Sequence, residues 1–408
     1  MERLNDHEVE HWSLEPTIGS ERGRLARTFG MNSETRGRTA RAPVRRFTES
    51  RVSQVFHQIW KGLFVLQVAV VCLAASDDED LSSKVNRYME KLAKAGQFSG
   101  SILIARDGEV LVSQGYSLAN REHEIPNTPQ TKFRLGSLTK QFTAMSILLL
   151  QEDGKLSVRD PVCRHVPDCP EAWKPITIHH LLTHSSGIPG FTEFPDNEQF
   201  ERLPTTVTNT VNRFRDKPLE FDPGSRFKYS NSGYVLLGYI IERASGQSYE
   251  SFLRERIFKP LRMENSGYDH PWMVLRHRAS GYAKRDGQLA NCVYFEMDTP
   301  HAAGALYSTV EDLLVWNQAL DRNRFVSKKS LEAMFTPEKG GYGYGWVIRQ
   351  RFGRKCAEHG GGISGFSTFI ERYPLDKVVV IVLSNYQFAV SGQIAHHLAG
   401  VVFGEPVP

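Results

Sequence analysis

The chain is short of cysteine, of net charge and of long apolar runs, and each shortage removes a class of protein. Five cysteines in 408 residues (Cys72, Cys163, Cys169, Cys292 and Cys356) are too few for a disulfide-built scaffold. Cys163 and Cys169 are close enough in sequence to bridge in an oxidising compartment, with idle thiols as the equal alternative. The net charge of +4 is small and comes partly from an Arg-rich N-terminal arm, so nothing points to nucleic acid as a partner. Zinc-finger spacing, His-Glu-x-x-His and Gly-x-x-x-x-Gly-Lys-Ser/Thr are all missing. His179, His180 and His184 lie in an apolar stretch with no Asp or Glu close by, a poor metal set, and no metal or cofactor is expected.

The run Gly62 to Ala75 falls short of the roughly 20 apolar residues that a transmembrane helix needs. It suits the apolar region of a secretory signal, with Ala74 and Ala75 as small residues for cleavage, and the expected location is periplasmic or secreted. A membrane tether through residues 62–75 and a transit peptide are the alternatives. Val71 stands where a lipoprotein signal would have a small residue before Cys72. Residues 1–60 are rich in Arg, Ser, Thr and Glu and show no sustained period, so disorder is expected there. A start codon nearer Val52 or Val55 would put the signal at the N-terminus and leave that arm untranslated.

From Asp77 onward the chain reads as an ordinary globular domain; overall, 40% of residues are hydrophobic and 24% charged. Leu81, Val85, Tyr88, Met89 and Leu92 make a helical stripe. Residues 101–105 and 110–116, joined at Asp107-Gly108, predict a hairpin. Three further strand-like runs follow near the C-terminus, at 345–348, 358–370 and 377–385, and residues 387–403 predict a closing helix. The expected class is therefore α/β in the α+β sense. An antiparallel sheet drawn from residues 97–135 and 300–408 is flanked by helices, with a mainly helical subdomain at about 141–300. No repeat or low-complexity tract interrupts residues 77–408.

The pattern with most chemical content is Ser137-Leu138-Thr139-Lys140. Leu138, Phe142, Met145 and Leu149 recur at steps of three and four, so Ser137 should open a helix with Lys140 on its own face. A hydroxyl beside an amine that burial keeps neutral for part of the time is one route to a nucleophilic serine. An N-capping serine beside a solvated lysine is the plain alternative, and Ser225-Arg226-Phe227-Lys228 repeats the spacing. Tyr229-x-Asn231 ends a polar loop that runs into an apolar helix. His359-Gly360-Gly361 precedes strand-like residues, and its glycines would admit a close backbone neighbour.

In this order the three clusters resemble the serine β-lactamase and penicillin-binding-protein superfamily, in its class C-like branch with D-alanyl peptidases and esterases. Phe133-Arg134-Leu135-Gly136, Leu181 to Pro189, Phe227 to Tyr234, Tyr342 to Trp346 and His359 to Phe366 carry the same likeness, which spans about residues 80–405. The resemblance implies a β-lactamase/transpeptidase-like fold and an acyl-enzyme on Ser137, with Lys140 and Tyr229 as its proton-handling partners. It implies that Asn231, His359, Gly361 and Gly362 bind substrate, with backbone N–H groups of Ser137 and Gly362 as the oxyanion hole. The substrate would be a small molecule or peptide: a D-amino-acid or peptidoglycan-type peptide, an ester or a β-lactam. A non-catalytic penicillin- or peptide-binding member of the fold is the rival reading. His359-Gly360 departs from the Lys-Thr pair of familiar β-lactamases, which removes a cation and a hydroxyl and shifts weight towards esters and peptides.

Overall fold

Strand character and helix character divide the chain around one antiparallel sheet. The computed structural model describes residues 81–405; the expectations for residues 1–80, the signal-like run included, lie outside them. Among the described residues no helix is long and apolar enough to cross a membrane.

Helix α1 (residues 81–94) leads into β1 (Gly100–Arg106) and β2 (Glu109–Tyr116). Their two-residue turn has both Asp107 and Gly108 at positive φ, the form that matches strand twist. Helix α2 (Thr139–Glu152), helix α3 (Asn231–Ser245) and helix α4 (Val310–Asp321) come from the middle of the chain. Strands β3 (Val347–Arg351), β4 (Arg354–Ile363), β5 (Phe366–Tyr373) and β6 (Val378–Ser384) then complete the sheet, and α5 (Ser391–Val402) closes the domain. The order is β3-β4-β5-β6-β1-β2, so strands from both ends of the domain meet at β1 and β6, in register from Gly100 opposite Ser384 to Arg106 opposite Val378.

Those two inner strands are covered on both faces, which explains their unbroken apolar runs. Ile102, Ile104, Val380 and Val382 pack with Val85, Met89, Ile394 and Leu398 of α1 and α5. Leu103, Ala105, Ile381 and Leu383 belong to the larger core on the opposite face, with residues of α2, α3 and α4. Period-two alternation thus serves two cores instead of one core and solvent. Helix α2 is buried all round from Thr139 to Leu150, so the stripe read from the sequence is only part of its buried surface. Between Leu150 and Pro300 the chain is mostly short helices and loops, with a small hairpin (Tyr282–Arg285 with Gln288–Asn291) added. A disulfide joins Cys163 to Cys169.

Candidate active site

The turn that begins α2 is pressed against the far end of β4, and glycine makes the approach possible. A Cβ on Gly361 would stand 2.0 Å from the Leu135 carbonyl oxygen, closer than any side chain tolerates. Thr368 on β5, opposite Gly361, donates its hydroxyl to that same carbonyl at 2.7 Å. Gly136 is at φ +54°, and a Cβ there would lie 3.0 Å from the Gly362 nitrogen. β4 is not an edge strand along its length: β3 pairs with it from Arg354 to Glu358. From His359 on it outruns β3, and it is this free stretch that meets the Ser137 turn.

Ser137 lies in a 3₁₀ turn, Gly136–Leu138, that runs directly into α2. One helical turn later Lys140 is fully buried. Its Nζ is 2.9 Å from Ser137 Oγ, 2.9 Å from Asn231 Oδ1 and 2.8 Å from the Ala303 carbonyl. Asn231 is the first residue of α3, with Ser230 as its N-cap, so its amide is free to face Lys140. Thr139 and Thr143 hold the Ala302–Leu306 segment against α2, through the Leu306 N–H at 3.2 Å and the Ala302 carbonyl at 2.6 Å. That places the Ala303 carbonyl over the amine.

Among the described residues no carboxylate reaches Lys140, and burial holds its amine well below the ordinary lysine range. Aromatic faces surround it: the ring centres of Tyr229 and Tyr234 are 4.9 and 5.5 Å from Nζ. Cation–π attraction of about 0.5–2 kcal/mol and three uncharged hydrogen-bond partners offset only part of the cost of burying an ammonium that has no anionic partner, so the pKa still falls. The neutral amine is therefore favoured, and its lone pair has one possible donor. Asn231 Oδ1 and the Ala303 carbonyl can only accept; Ser137 alone carries a proton to offer.

The second serine–lysine pair shows the opposite electrostatics. Lys228 is ion-paired with Glu193 at 3.0 Å and Glu220 at 2.6 Å, and these hydrogen bonds raise its pKa. A permanently charged lysine has no lone pair for Ser225.

Tyr229 is partly buried and its ring lies against that of His184, tilted by 33° with centres 4.2 Å apart. Burial pushes its phenol up, and a hydrogen bond with Ser137 offsets only part of the rise. The net rise means that Tyr229 keeps its proton at neutral pH. Its natural part is then to pass a proton at Ser137, not to hold a charge. Tyr229→Phe is expected to lower kcat by at least about tenfold, at the low end for a lost acid–base group. An unchanged kcat would remove the phenol from the proton path.

His359 is buried behind the amine. Its Nδ1 is 2.7 Å from the Gly360 carbonyl, which only accepts, so Nδ1 carries the proton. Its Nε2 accepts from the Tyr342 hydroxyl at 2.9 Å. Desolvation, then the neighbouring Lys140, push its pKa down to about 3. His359 is a neutral wall of the Lys140 chamber, with both nitrogens committed inside the protein.

A cavity of about 310 Å³ opens on Ser137, Asn231 and Gly362, with Phe191, Glu201 and Phe295 among its other walls. His359 and Gly361 do not line it: one is behind Lys140, and the other is under the Leu135 carbonyl. The three histidines considered as a metal set are each engaged elsewhere. His179 bonds Tyr344 at 2.8 Å, His180 accepts from the Thr177 N–H at 3.2 Å, and His184 accepts from the Ser230 N–H at 3.1 Å. Cys356, Glu358 and Glu371 do come together, but Arg351 lies 2.7 Å from Glu358 and 3.7 Å from Glu371, and Arg349 is 3.1 Å from Glu358. Guanidinium groups already meet that charge.

Sequence reading passed over the Ala303 carbonyl, which has no side-chain signature. It also gave no role to His184, Tyr234 or Tyr342, although each lies in a stretch noted for its family likeness. Glu201 and Asn197 left no signal at all.

A serine, a buried lysine with a lowered pKa and a tyrosine gathered beside an antiparallel sheet, with a helical subdomain completing the cavity, are the arrangement of the β-lactamase/transpeptidase fold. The chain belongs to the Beta-lactamase family, whose model matches residues 85–401. It is 33% identical over 346 residues to penicillin-binding protein 4* of Bacillus subtilis, covering 78% of this chain and 75% of that protein. Among solved structures, a penicillin-binding protein homologue from Pyrococcus abyssi superposes with a TM-score of 0.71 at 34% identity, covering 79% of this chain and 77% of that one. A D-amino acid amidase from Ochrobactrum anthropi, complexed with D-phenylalanine, gives 0.70 at 25% identity over 79% of this chain and 99% of its own.

Proposed function

We propose that this β-lactamase-family hydrolase cleaves esters or amides through an acyl-enzyme on Ser137. The observation that carries the reading is the set of three partners around Lys140 Nζ, of which only Ser137 can donate. Lys140 takes the Ser137 proton as Oγ attacks the carbonyl carbon, and Tyr229 relays a proton to the departing group. The N–H groups of Ser137 and Gly362 receive the oxyanion, and water then releases the acyl group by the reverse sequence. Asn231 keeps the amine aimed at the serine.

Efficient β-lactam hydrolysis fits less well. No Lys or Arg lines the cavity to meet a β-lactam carboxylate, and His359 is neutral and turned inward. A solved structure described as a D-amino acid amidase favours small amides. An exported protein is also part of the reading, supported by the Cys163–Cys169 disulfide and the signal-like run before the domain. The test is a panel on purified protein: p-nitrophenyl esters, D-amino-acid amides and nitrocefin. Turnover of the first two with nitrocefin at least about 100-fold poorer in kcat/KM is expected; nitrocefin as the best substrate would contradict it.

A further inference from the structure

His184 lies beside the stretch that carries Tyr229 and Asn231, and its backbone is strained to be there. It sits just past the short helix Ile178–Leu182 with φ +54°, the left-handed region that most side chains avoid. Main chain and ring then reach the same segment. The His184 carbonyl accepts from the Lys228 N–H at 2.9 Å, and its Nδ1 accepts from the Ser230 N–H at 3.1 Å. These donors flank Tyr229 in the chain, and the Ser230 N–H belongs to the peptide that leaves it. Ser230 Oγ also donates to the Ile188 carbonyl, at 3.0 Å. Among the described residues the imidazole is the nearest ring to the Tyr229 ring, with centres 4.2 Å apart against 6.2 Å for Tyr342 and 6.3 Å for His359.

A backbone N–H only donates, so Nδ1 of His184 is unprotonated and the proton of the neutral ring is on Nε2. That Nε2 is buried with no acceptor, in a chamber of tyrosine rings: Tyr234 and Tyr342 have centres 5.0 and 4.6 Å from the imidazole. A stranded N–H is costly and calls for a reason. Phenylalanine would fill the chamber without it but offers nothing to the Ser230 N–H. Asparagine would supply an acceptor and tolerate the positive φ, but not the ring. Histidine meets both needs.

We propose that His184 is a positioning residue for Tyr229: as its Nε2–H tautomer the imidazole fixes the peptide that leaves the tyrosine and the tilt of its ring, and so aims the phenol at Ser137. The proposal rests on Tyr229 as the proton relay and adds the group that orients it. Burial holds the His184 pKa well below its ordinary value, which keeps Nδ1 free to accept. His184 is not among the cavity walls, so its effect should fall on the chemical step and not on substrate binding.

The test is a double-mutant cycle on purified protein with D-phenylalaninamide, whose departing nitrogen needs a proton. His184→Phe should lower kcat by at least about tenfold, as for a disabled acid–base group, with KM within about threefold. In Tyr229→Phe the same change should cost less than about twofold, because the group it positions is already gone. His184→Asn, which restores an acceptor at the place of Nδ1, should stay within about threefold of wild type. A merely structural role would lower kcat by the same factor in both backgrounds. Equal factors, or His184→Asn no better than His184→Phe, would overturn the proposal. Nitrogen-15 NMR of histidine-labelled wild-type protein gives a readout that needs no phenylalanine variant to fold. The His184 ring, assigned by the signals lost in His184→Asn, should show an unprotonated Nδ1 and a protonated Nε2 at neutral pH; a protonated Nδ1 would overturn the clamp. If the amide is not turned over, or Tyr229→Phe alone leaves kcat unchanged, the function or the relay reading fails instead, and the NMR tautomer decides the clamp by itself.

Discussion

Lys140→Arg is expected to lower kcat/KM by about 10³-fold, within the range for a lost general base, although it preserves positive charge. The reason lies in what the pocket does to the lysine. Lys140 is fully buried, has no carboxylate partner, and desolvation holds its pKa well below the ordinary value. Catalysis by this account needs its lone pair, and a guanidinium with a pKa above about 12 has none to give. The planar fork also does not reproduce three contacts converging on one nitrogen. If Lys140 served only as a fixed positive charge, arginine would retain most of the activity. The pH profile checks the same point. As pH falls through the depressed pKa, the amine takes up a proton, its lone pair is lost, and kcat/KM falls. Activity is therefore present above that pKa and lost below it, and Lys140→Arg should retain no acid limb of this origin in its residual activity.

Ser137→Ala should cost about 10⁴-fold or more in kcat/KM and remove acylation altogether. The side chain is small and partly exposed, and its loss takes away one of three contacts to Lys140, so stability should change by only about 1 kcal/mol. A normal melting curve with abolished turnover separates chemistry from folding. Because Ser137 and Lys140 act on the same proton, the double variant Ser137→Ala/Lys140→Arg should be no worse than Ser137→Ala alone. Additive losses would mean that the two residues work in different steps.

The elements that were legible in the sequence are those with strong local signals. The Asp107-Gly108 turn, the apolar strands and the helix beginning at Ser137 all follow from turn chemistry and periodicity. Ser137, Lys140, Tyr229 and Asn231 are brought together as their motifs suggest. What the sequence could not supply was electrostatic context. Two Ser-x-x-Lys patterns are indistinguishable as strings, and only the glutamates around Lys228 and the dry chamber around Lys140 tell them apart. The rise in the Tyr229 pKa comes from desolvation, which a sequence string does not display. The family resemblance implies a substrate contact at His359, but the Gly360 carbonyl and the Tyr342 hydroxyl hold its ring inside the protein. Glu201 and Asn197 lie outside every motif stretch, and only the fold puts them on the wall that Ser137 faces.

The most direct measurement is mass spectrometry of the purified domain after brief incubation with a fluorophosphonate, with peptide mapping of the adduct. One modified residue is expected, Ser137, with labelling that slows as pH falls through the Lys140 transition and disappears in Ser137→Ala. An adduct at Ser225, or undiminished labelling of Ser137→Ala, would contradict it.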